Sequence, residues 1–162
     1  MSSASASPKH ADEFARIRNR YLDQMALIEE KLVQIASKYG VEPKNAPVSQ
    51  ILSKLLRAEG PHAVTDATPA AITDALNDLA PRLTMRADIV HSRMKLGTRG
   101  EAPVAEFRNA RYVNATRAEV TCLTSEEFAT EVRHLQSIEG KLRSALNPPA
   151  QRQPKQGAAG DP

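Results

Sequence analysis

The stretch DEFARIRNRYLDQMALIEEKLVQIASKY, residues 12–39, decides the fold. Phe14, Tyr21, Ile28 and Ile35 recur every seven residues, with Met25, Leu32 and Tyr39 as a second line beside them. An apolar stripe at that spacing is one face of a long helix laid along others in a bundle, or along its own copy in a dimer. Arg18 interrupts the second line near its start, and Gly40 stands where a left-handed residue would stop the helix. The expectation is a mainly α protein whose first helix runs from about Asp12 to Tyr39.

Downstream, Pro43 and Pro47 mark a linker, and Ile51, Leu52, Leu55 and Leu56 give a second helix, Val48 to Ala58, one apolar face. Gly60-Pro61 ends it. Thr68-Pro69 reads as a cap followed by proline at the first helical position, opening a third helix with Ile72, Ala75, Leu76 and Leu79. Pro81 removes a backbone donor, so it kinks that helix or begins a new one, from about Pro81 to Leu96. Gly97 and Gly100 close the helical part. Pro103–Arg108 and Ala118–Leu123 read as a β-hairpin within about 103–123. Thr124-Ser-Glu-Glu127 fits a capping box flanked by Leu123 and Phe128. The last helix then carries Phe128, Val132, Leu135, Ile138, Leu142 and Leu146 on one face. The sum is a bundle of four to five helices with a small β-hairpin insertion before the last helix.

The 162 residues suit a single domain, 11–146, between tails read as disordered: Ser/Ala-rich 1–10 and Pro/Gly/Gln-rich 147–162. With no Trp, three Phe and three Tyr, its core must be mostly aliphatic. A net charge of +3 neither demands nor forbids a nucleic-acid partner. One cysteine, Cys122, excludes an intrachain disulfide and fits a reducing compartment. No run approaches the ~20 apolar residues of a membrane helix, and the first ten residues lack the apolar core of a secretory signal. These readings together give a soluble, cytoplasmic protein without a membrane partner.

The stretch LTMRADIVHS, residues 83–92, could carry chemistry. Arginine holds a phosphate at any pH, and histidine gives or takes a proton near neutrality. Arg86, four intervening residues and His91 resemble the signature of the HEPN superfamily, small helical-bundle domains among which many are RNA-cleaving toxins or defence effectors. Ile89-Val90-His91-Ser92 also looks like the ending common in such proteins, whereas Ala87 stands where many members carry Asn, Asp or His. The resemblance implies RNA binding and a metal-independent endoribonuclease site formed where two copies meet. It would use Arg86 and His91 as the catalytic pair, with Asp88 and Ser92 in support, no cofactor, and an inhibitory partner protein. On one ideal helix His91 lies about 140° around from Arg86, so both side chains reach one phosphate only from separate subunits.

Two alternatives stand beside that reading. Arg86 pairs with a carboxylate such as Asp88 or Glu106 while His91 merely caps its helix, or the chain is a non-catalytic interaction module whose heptad seam docks or dimerises. Arg57 and His62 repeat the spacing where no continuous helix can run, which shows how cheap the pattern is. Arg108, Arg111 and Arg117, with Tyr112, form a basic loop that would lean on an RNA backbone or sit solvated at a hairpin tip. His10, His62, His91 and His134 are scattered without ligand spacing, so no metal site is expected.

Overall fold

The computed structural model describes residues 8–41, 46–56, 70–108 and 120–147. Five helices appear among them: α1 (Pro8–Lys38), α2 (Val48–Leu56), α3 (Ala70–Leu79), α4 (Arg82–His91) and α5 (Ser125–Leu146). Strands β1 (Met94–Arg99), β2 (Ala102–Phe107) and β3 (Thr121–Thr124) form an antiparallel sheet in the order β1-β2-β3, between α4 and α5. The expected mainly α bundle with a small β insertion is the observed architecture.

The seam on α1 is buried within the chain. Phe14, Tyr21, Met25, Ile28, Leu32 and Ile35 are all inaccessible or nearly so, and α5 is the most extensive neighbour of α1. The stripe therefore builds the protein's own core and is not a free docking face, which corrects the seam-mediated form of the interaction-module reading. Gly40 has φ 70°, the left-handed stop that position requires. Helix α1 starts at Pro8, four residues before the expected Asp12, because proline at a helix start gives up a donor that would be orphaned anyway.

The sheet differs from expectation by one strand. The segment Pro81–Leu96 does not stay helical: α4 ends at His91, Ser92 is extended, and Met94–Arg99 pairs with β2. Arg99 faces Ala102 across a two-residue loop, Gly100-Glu101, and Gly100 takes φ 66° there. A positive φ at the first loop position suits the twist of a tight hairpin. On β2, Ala105 and Phe107 turn into the core. The Phe107 ring meets Phe128 edge-on at 5.6 Å, and Phe128 meets Tyr21 at 5.7 Å, so three aromatics tie sheet, α5 and α1 together. Helix α5 begins as expected: Glu127 N–H donates to Thr124 Oγ1 (3.2 Å) and Thr124 N–H to Glu127 Oε2 (2.8 Å). The expected cap at Thr68-Pro69, the end of the second helix at Arg57 and Ala58, and the Arg57/His62 spacing lie outside the described residues.

Candidate functional site, the end of α4

Helix α4 carries the Arg/His pair, and its attachment to the bundle is largely polar. Only Asp88 and Ile89 are buried along it. Arg82, at its first turn, reaches α5 through Nε to Glu131 Oε2 (3.1 Å) and α3 through Nη1 to the Asp78 carbonyl (2.6 Å). Arg86 binds α1: its Nε donates to Glu29 Oε1 at 2.9 Å, and its Nη2 donates to the same oxygen. From α1, Arg18 Nη2 donates to the Ile89 carbonyl (3.1 Å), one of the last four acceptors a helix leaves unsatisfied. The Asp88 carboxylate accepts from Thr121 Oγ1 (2.8 Å) and so pins α4 to β3.

Arg86 does find a carboxylate, but it is Glu29 and not Asp88 or Glu106. No hydrogen bond joins Arg86 to His91. Arg86 is half-buried and turned to α1, while His91 is exposed as the last residue of α4. Within one chain the structure does not bring the pair to a single point. Asp88 is 8% exposed and committed to Thr121. Ser92 is buried, and its Oγ has no partner among the described residues. Neither presents a free polar group to solvent beside His91.

Another group does lie beside it. The ladder pairs Met94 with Phe107, so Arg93 and Arg108 extend the same row by one position, both exposed. Arg93 is two residues after His91. None of the three has an ion-pair or hydrogen-bond partner among the described residues. Lys95, also exposed, follows on β1 directly opposite Glu106 of β2. The two arginines thus stand near the α4–β1 junction, where a phosphate would be met by two guanidinium forks. Arg108 was anticipated from the sequence; Arg111 and Arg117 lie outside the described residues. Arg93 and Glu29 were missed. Arg93 is adjacent to the motif and legible as a basic neighbour, whereas nothing local links Glu29 to a residue 57 positions away.

A concavity runs between α1 and α5. One part, about 300 Å³, is lined by Arg20, Asp23, Gln24 and Arg133, and another, about 540 Å³, by Lys9, Asp12, Glu13 and Arg16. Its charges alternate in sign, so it selects neither an anion nor a cation. No helix among the described residues is long and apolar enough to cross a membrane. No family model, curated protein or solved structure matches this chain.

Proposed function

We propose that this chain is a HEPN-like RNA-binding domain that meets the sugar-phosphate backbone where α4 runs into β1, with His91 as the proton-transferring group of a metal-independent cleavage. One observation carries the reading: Arg93, two residues after His91, stands one register position beyond Met94 as Arg108 does beyond Phe107, and all three residues are exposed without an ion-pair partner among the described residues. Arginine forks bind phosphate oxygens whatever the base, which suits backbone recognition of single-stranded RNA. In the proposed step, His91 takes the proton of a ribose 2′-hydroxyl as its oxygen attacks phosphorus. The 5′-oxygen leaves with a proton from a second donor, and a 2′,3′-cyclic phosphate and a 5′-hydroxyl result. Arg93 and Arg108 would stabilise the charge gathering on the phosphate. Two copies meeting through this end would supply the second donor as another His91, and an inhibitory partner would act by covering it.

The Arg86–Glu29 pair favours a second reading, a non-catalytic module that binds RNA without cutting it, because the motif arginine already serves the fold. Labelled single-stranded RNA in EDTA separates the two. The enzyme reading predicts cyclic-phosphate ends, with the rate lowered at least about 100-fold in His91→Ala, the usual scale of a general base. The module reading predicts intact RNA that is nevertheless retained, and retained less by an Arg93→Glu/Arg108→Glu variant. A wild-type protein that neither binds nor cleaves would overturn both.

A further inference from the structure

His134, on the solvent side of α5, has a single ring nitrogen claimed by two groups that make opposite demands. Its Nδ1 lies 2.9 Å from Arg82 Nη2 and 3.2 Å from Glu131 Oε1. A guanidinium only donates and a carboxylate only accepts. Nδ1 therefore satisfies Arg82 only when it carries no proton, and Glu131 only when it does. Arg82 and Glu131 are also bonded to each other, Nε to Oε2 at 3.1 Å, so the three side chains close a triangle between α4 and α5.

We propose that Arg82, Glu131 and His134 form a proton-operated latch on the first turn of α4. Neutral His134, with its proton on Nε2, accepts from Arg82 and helps hold α4 against α5. Protonated His134 donates Nδ1–H to Glu131 and sets a positive charge against Arg82 Nη2, which withdraws. Arg82 then keeps Glu131 Oε2 and the Asp78 carbonyl, so the latch loosens α4 without releasing it. The charges facing the triangle come from every neighbouring element. Asp78 on α3 is drawn toward Lys141 on α5 (2.7 Å), and the Tyr21 hydroxyl of α1 lies within electrostatic reach of Glu131, Arg82 and Arg86. With His134 about half exposed, the effect is that of one surface ion contact.

The latch acts on the helix that ends at His91, yet its test requires no RNA and stands whether or not the RNA reading does. Nitrogen NMR of the imidazole above pH 8 should show Nδ1 unprotonated. Amide hydrogen exchange over Leu83–Arg86, corrected for intrinsic rates, should quicken about threefold between pH 8 and pH 5.5, the scale of one exposed ion contact. In His134→Gln, which keeps a polar side chain but does not titrate, the acceleration should vanish. A proton found on Nδ1 at high pH, or the same acceleration in His134→Gln, would overturn the proposal.

Discussion

Arg86 places two N–H donors on one oxygen of Glu29, and the two side chains are only 25% and 31% exposed to water. Shielding raises the worth of the pair above that of an open surface contact, and removing one partner strands the other. Arg86→Ala and Glu29→Ala should each lower stability by about 1–2 kcal/mol in denaturant titrations. The double substitution should fall short of their sum, because the same contact is lost only once. Equal and fully additive losses would mean the pair does not hold α4. Tyr21 makes the opposite case. Its hydroxyl is buried without a partner among the described residues, and burial, with the Glu131 carboxylate second, pushes its ionisation well above the usual phenol range. A raised value means that this contribution to stability is complete below the ordinary phenol value near pH 10 and is lost as pH climbs above it. Tyr21→Phe should therefore be neutral or slightly stabilising at pH 7 and should flatten the alkaline limb of the pH–stability curve.

At the scale of elements, α4 and α5 are built on different plans. Helix α5 has a reciprocal cap, and the Glu127 carboxylate is held below the usual glutamate range first by the Thr124 backbone N–H, then by Arg99. A lowered value means the cap is complete above the ordinary glutamate range and is lost as acid protonates Glu127, so the first turn of α5 should fray first at low pH. Thr124→Ala should lower stability by about 1 kcal/mol, read from the thermal midpoint, with Glu127→Gln less damaging. Helix α4 lacks a side-chain cap, and Ile89 is its one fully buried apolar residue, with Leu83 and Met85 partly buried against the core, so Ile89→Ala should lower stability by about 2–4 kcal/mol, more than any of its ion pairs. The α5 box was legible in the sequence because every part of it lies within four residues. Strand β1 was not. Met94, Lys95 and Leu96 are good helix formers that continue the pattern of α4, and what makes them a strand is pairing with β2, a partner local propensity does not see. The Arg86–Glu29 pair was hidden for the same reason, while the exposure of His91 follows from its place at a helix end.

At the scale of the molecule, an aliphatic core around α1 organises the five helices and three strands of the described residues, and a periodicity of seven was enough to foresee that core. Periodicity did not say whether the seam faced its own chain or a second copy; the burial of Tyr21, Ile28 and Ile35 against the rest of the chain answers that. An assembly of two copies would therefore use another surface. Under the proposed function that surface is the α4–β1 end, so light scattering of the RNA-free protein should show a dimer, and a strict monomer would rule out a second His91 as the proton donor. The proposed function rests on His91 and the neighbouring Arg93 and Arg108. Its most direct test is two-dimensional NMR of the labelled protein titrated with a short single-stranded RNA at low salt. Shifts concentrated on His91, Arg93, Lys95 and Arg108, reversed by added salt, are the predicted result. Shifts confined to the α1–α5 groove, or no shifts at all, would contradict it.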